Sequence, residues 1–163
     1  MASRYWPTRD TNLAKRFNDE LVGNLKDGKC GIIGHEVILY RVSTYDTETN
    51  MYGEAGKGKV YEAGVKLSCI IEAEDFDFNT DEFGPDRVQT VTFSFLRQSL
   101  RDIDFVVDVG DVVNWNDGYW EINSKNENQL IGGQTATDSN YSVVCEAYLM
   151  RISHLNIERV RSI

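Results

Sequence analysis

Gly110-Asp111-Val112-Val113-Asn114-Trp115-Asn116-Asp117-Gly118-Tyr119-Trp120-Glu121-Ile122-Asn123 is the stretch whose reading decides the fold class. Two short runs rich in Val, Ile and aromatic residues flank Asn116-Asp117-Gly118, and that tripeptide tolerates the positive φ of a tight turn. The pattern predicts strands at 111–115 and 118–123 joined as a hairpin.

Working outward, the two-residue period continues on both sides. Val91, Phe93 and Phe95 alternate with Thr90, Thr92 and Ser94 in a strand over 87–96. Val65, Leu67, Cys69, Ile71 and Ala73 share one face of a long strand, and Val37 and Leu39 alternate with Ile38 and Tyr40 over 35–44. Downstream, Val143, Cys145, Ala147 and Leu149 share a face within 142–152, and Leu130-Ile131 read as a short strand ahead of Gly132-Gly133. Gln98 to Asp104 read as one short helical turn. The only strong helical period is Leu13, Phe17, Leu21 and Leu25, with Asp10, Thr11 and Asn12 as N-cap candidates and Gly28 as a stop, predicting a helix over 11–26.

Several short strands behind one leading helix predict a mainly β fold. The expected form is a small β-barrel or sandwich with one N-terminal amphipathic helix and a long protruding β-hairpin or loop. The polar, glycine-containing stretch 46–58 supplies that loop, and connections of such length are uncommon in compact domains unless they have a function. The expected organisation is an N-terminal arm, 1–10, a single β-rich domain, 11–155, and a C-terminal tail, 156–163.

At 163 residues the chain can bury a core without disulfides or metals. Its cysteines, Cys30, Cys69 and Cys145, are odd in number and lack CxxC spacing, which suits a reducing cytosol. The net charge of −9 is uneven: 1–30 carry six Lys/Arg against four Asp/Glu, 31–150 carry eight against 21, and 151–163 carry three against one. A body so acidic argues against a grip on a nucleic-acid backbone. It suits a surface that DNA slides past, or one that docks a basic partner. No apolar run is long enough for a membrane-spanning helix.

The sequence gives little support to catalysis. His35 and His154 belong to no HExxH or other ligand spacing, and neither GxSxG nor a phosphate loop with GK[ST] occurs. Within the acidic turn 74–86, Asp75, Asp77, Asn79 and Asp81 alternate as calcium ligands would, and Asp86 falls at the twelfth position. Thr80 replaces the glycine that a helix-flanked calcium loop needs, and Phe76 and Phe78 interleave as strand residues would; the stretch reads as a solvated strand end and turn. Trp115, Tyr119 and Trp120 could form a stacking platform for sugars or bases, but around a tight hairpin turn aromatics more often clamp the two strands or fill a barrel end, and they are read so here.

The segment Gly110 to Trp115 with Gly118 to Ile122 resembles the GD-apolar-apolar-x-aromatic hairpin of tailed-phage neck and head-closure proteins, above all the smaller neck protein of contractile-tailed phages. Gln129-Leu130-Ile131-Gly132 is similar to the segment that follows the hairpin in that family, and Asn50-Met51-Tyr52-Gly53-Glu54 resembles an LYGE segment of related virion proteins. Val91 to Leu96, with Asp81-Glu82-Phe83-Gly84, is similar to the strand leading into the hairpin. The resemblance spans roughly residues 35–135. It implies a non-enzymatic head–tail connector without cofactors, assembled in the host cytoplasm and located at the virion neck. There a ring of six copies would close the head and help retain packaged double-stranded DNA, which passes through the lumen. The ring would sit between a head-side connector or adaptor and a tail terminator or tail-tube protein. Tyr5, Trp6, Tyr52, Glu54, Lys57, Arg159 and Arg161 are the expected partner-binding residues. The alternatives are a tail terminator or other tail or baseplate barrel subunit, and, in a different class, a calcium- or sugar-binding β-sandwich.

Overall fold

In a computed structural model of the chain, the described residues are 8–24, 28–52, 55, 58–75, 77–81, 84–127, 141–150 and 155–156. The chain begins with helix α1 (Thr8–Leu21), the short strands β1 (Gly23–Asn24) and β2 (Lys29–Cys30), and β3 (His35–Tyr40). Next come β4 (Lys59–Val60), β5 (Val65–Ala73), β6 (Asp77–Asp81), β7 (Gly84–Val88) and β8 (Thr90–Leu96). Helix α2 (Arg97–Asp102), β9 (Val112–Trp115), β10 (Gly118–Asn126), β11 (Ser142–Leu149) and β12 (Leu155–Asn156) complete the order.

Six of these strands close into an antiparallel barrel in the order β3-β5-β8-β11-β10-β9, with β9 returning to β3. The two-residue period predicted this because each strand has a single apolar face. Val91, Phe93 and Phe95 on β8, Val143, Cys145 and Ala147 on β11, and Leu67 and Cys69 on β5 all point inward and are buried. Val37, Leu39, Val113, Trp120 and Ile122 complete the ring of inward side chains, and Leu100 of α2 enters the same core. The interior is therefore a packed core, as expected where a barrel is narrow enough for side chains to fill it. Closure settles barrel over sandwich.

The hairpin that opened the sequence reading pairs Trp115 with Gly118, leaving Asn116 and Asp117 as a two-residue turn. Both have positive φ, 50° and 60°, the geometry that matches the right-handed twist of the flanking strands. A register shift between Ile122 and Ser124 bends β10 where it follows the barrel wall.

Several boundaries differ from the sequence expectation. The helix runs 8–21 rather than 11–26, so it takes in the end of the expected arm. It stops at Gly23, not Gly28, because Gly23 adopts φ 86°, the left-handed closure that a side chain resists. The strand expected over 87–96 divides at Gln89, whose buried side-chain amide donates to the Glu74 carbonyl while β7 leaves the barrel. The expected acidic turn is instead a two-stranded hairpin, with Asp77 opposite Val88 and Asn79 opposite Asp86. Strands β3 and β11 end before the expected limits of 44 and 152. Asn156, placed in the tail, pairs with Val60 in the parallel β12–β4 contact. The short strand expected at Leu130-Ile131 lies outside the described residues.

Gly31 and Gly34 account for how α1 is attached. The Ile32 and Ile33 amides donate to the Glu20 and Leu21 carbonyls, so 31–34 runs along the helix end. A Cβ on Gly31 would collide with the Val22 carbonyl carbon, and one on Gly34 with the Val22 carbonyl oxygen. Only glycine permits that approach.

Candidate functional site

Residues 41–64, between β3 and β5, form a long excursion with a braced root. Val42 bridges Tyr61, the Ser43 amide donates to the Val60 carbonyl at 2.8 Å, and the Glu62 amide donates to the Arg41 carbonyl at 2.8 Å. Thr47 turns back on this root: its hydroxyl donates to the Ser43 carbonyl at 2.6 Å and accepts from the Val60 amide at 3.2 Å. Further out, Thr49 bridges Ala55, and the Asn50 side-chain oxygen accepts from the Tyr52 amide at 3.0 Å. Beyond the root, Tyr45, Met51 and Tyr52 are almost wholly exposed.

Asp111, the acid of the Gly-Asp pair, ties this root to the barrel. It is 2% exposed; one carboxylate oxygen accepts from the Val42 amide at 3.1 Å and the other from the Asp108 amide at 2.8 Å. Gly110 precedes it with φ 94°, so the glycine supplies a backbone turn that carries the carboxylate inward. Burial pushes the Asp111 carboxyl above the usual range, opposed by the two amide hydrogen bonds and by Arg41. Asp111→Ala leaves two amides without their acceptor, and a loss of about 2 kcal/mol is expected in urea denaturation.

A second tie runs through Glu121 of β10. It pairs with Lys59 and accepts a hydrogen bond from the Tyr148 hydroxyl at 2.8 Å. Beside it, the buried Tyr61 hydroxyl has no hydrogen-bond partner among the described residues. Burial, then the charges of Glu121 and Asp111, push this phenol from 10.0 up to about 12. Tyr61→Phe is therefore expected to gain up to about 1 kcal/mol at neutral pH, since it removes a buried polar atom that gains nothing. In the parent, the raised pKa makes a contribution that is complete below about 10 and is lost as the pH rises to about 12. Urea denaturation at neutral and alkaline pH checks both signs: the variant should lack this part of the alkaline fall.

The second exposed feature is the apolar stripe of α1. Leu13 is 52%, Phe17 55% and Leu21 42% exposed, and Ile32 and Ile33 are also exposed beside the helix end. The helix is tied to its own chain at its C-terminal end, where the Ile32 and Ile33 amides donate to the Glu20 and Leu21 carbonyls.

Of the expected partner-binding residues, Tyr52 is 85% exposed at the loop tip, while Tyr5, Trp6, Glu54, Lys57, Arg159 and Arg161 lie outside the described residues. Asp75 is exposed ahead of β6, and Asp77, Asn79 and Asp81 occupy alternate positions along that strand. Among the described residues, no three His, Cys, Asp or Glu side chains converge on a metal-sized point. Trp120 is buried, and Trp115 packs edge-on against Phe93 and beside Trp120, so these aromatics fill the barrel rather than form a platform. Cys69 and Cys145 are free thiols in the core, each pushed up to about 12 mainly by burial. No helix among the described residues is long and apolar enough to cross a membrane. No protein-family model matches the chain, and no curated protein matches it.

The loop root was only half legible in the sequence. The length and glycines of 46–58 marked a loop, but nothing local linked Val42 to Asp111, 69 positions away.

Proposed function

We propose that the chain is a structural subunit of a tailed-phage neck, forming a ring that closes the DNA-filled head and joins it to the tail. The observation that carries this reading is the hydrogen bond from the Val42 amide to Asp111. It joins two of the segments that carry the resemblance to neck proteins, the Gly-Asp hairpin and the loop containing 50–54. One small barrel thus holds the hairpin as a rigid support and the loop as a projecting arm. The packed interior leaves the outer surface for recognition, and the exposed Tyr45, Met51 and Tyr52 are residue types that protein interfaces favour. The excess of 21 acids over eight bases in residues 31–150 supports a conduit that the duplex passes without adhering.

The test is negative-stain microscopy of particles labelled with an antibody against this chain. Label at the collar between head and tail is expected. Label along the tail or at its tip would move the chain to a terminator or baseplate role, and absence from the particle would end the virion reading.

A further inference from the structure

We infer that the cleft where β1, β5 and α2 meet is a binding site for a small zwitterion, an α-amino acid with an apolar side chain. The site is independent of placement at the neck and of the 41–64 loop.

The cleft follows from strand parity. Leu67 and Cys69 point into the barrel, so Lys66 and Ser68 stand on the outer face of β5. A serine on an outer face is ordinarily solvated, yet Ser68 is only 6% exposed. Both β1 and α2 pack beside it, and Asn24, Ser99 and Asp102 line the same cleft. Ser99 and Asp102 are three residues apart and so share one face of α2, while Leu100 is sunk in the core. Ile103, packed against the core, adds an apolar wall. The cleft holds about 310 Å³, at the small end of ligand-binding pockets.

Its polar groups are not used up by the fold. Lys66, Ser68 and Ser99 have no hydrogen-bond or ion-pair partner among the described residues. A nearly buried hydroxyl left unpaired is uncommon in a folded protein and calls for a partner from outside the chain. An ammonium beside two hydroxyls is a donor set that a carboxylate accepts from. On the α2 wall, Asp102 accepts from the Gln98 side chain at 2.8 Å. A carboxylate has about four acceptor positions, so this bond leaves room for an ammonium.

Charge selects the class of ligand. The lining carries one base and one acid, whereas residues 31–150 as a whole carry 21 acids against eight bases. A simple anion is repelled by that body, and a simple cation meets Lys66. An amino acid has no net charge and brings a carboxylate to Lys66 and the serines, an ammonium to Asp102. Its side chain then lies against Ile103.

The experiment follows the backbone amides of the isotope-labelled full-length chain by NMR as L-leucine is added. Shifts confined to residues 24, 66–68 and 99–103 are expected. Isocaproate lacks the ammonium and isoamylamine lacks the carboxylate, so each should bind about tenfold more weakly than leucine. Ser68→Ala and Lys66→Gln should each weaken leucine about tenfold, with the rest of the spectrum in place as proof of folding. Lys66 is exposed, so its variant keeps the test open should Ser68→Ala disturb the strand. The absence of any shift would mean that the cleft holds only water, and would overturn the inference. Shifts scattered over the surface, isocaproate or isoamylamine binding as well as leucine, or folded variants binding like the parent would overturn it equally.

Discussion

On the proposed neck function, a chain in which residues 50–54 are replaced by Asn-Gly is expected to fold like the parent and to leave particles unfinished, with filled heads and no attached tails. The replacement is local because Thr49 and Ala55 already bridge each other, and two residues with positive φ suffice to connect such a pair. The root is left in place: Val42 still donates to Asp111, Thr47 still accepts from Val60, and Lys59 still pairs with Glu121. Stability should change by less than about 0.5 kcal/mol, as for surface changes that touch no buried group. Complementation of a phage lacking the gene gives the functional readout. Normal particle yield from the shortened chain would remove the loop tip from assembly, while loss of yield with an unchanged melting curve would assign it there.

Phe93→Ala is expected to cost about 3–5 kcal/mol, the largest stability loss of any single change considered. Phe93 is fully buried, lies 6.3 Å from Phe95 between ring centroids, and meets the edge of Trp115 at 6.4 Å. Its removal opens a cavity inside a closed ring of paired strands, which cannot collapse inward without breaking ladder hydrogen bonds. Against a typical domain stability of about 5–15 kcal/mol, that loss leaves little reserve. Urea denaturation followed by tryptophan fluorescence reports it directly, since Trp115 loses its neighbour. A loss of less than about 1.5 kcal/mol would mean that the barrel relaxes into the space and is less rigid than its closure implies.

The barrel was legible because a strand with one buried face writes its period into the sequence, as Val91-Phe93-Phe95 and Val143-Cys145-Ala147 do. The hairpin turn was legible for a different reason: Asn and Asp accept positive φ, and Asn116 and Asp117 use it. Element ends were harder to read. Both Gly23 and Gly28 could stop a helix; both have positive φ, and only contact with Gly31 and Gly34 selects the first. The candidate site was legible as a list of aromatic and polar residues in a loop, but not as a braced arm. Its braces, Asp111 to Val42 and Glu121 to Lys59, join residues too far apart for any local pattern to record. The α1 stripe has the same limit. A helical period announces that a helix has an apolar face, without saying whether its own chain covers it.

Barrel closure also sets an order of events during synthesis. The loop root is translated long before its anchor Asp111, and β3 stays without one of its two neighbours until β9 emerges. Strand β11, the last of the six, then fills the gap between β8 and β10. Pairings so distant along the chain are slow to form, because the loop-closure entropy precedes the contacts that offset it. A nascent chain therefore exposes an incomplete sheet and an untethered arm for most of its time on the ribosome. The barrel closes only after its final core strand has been released.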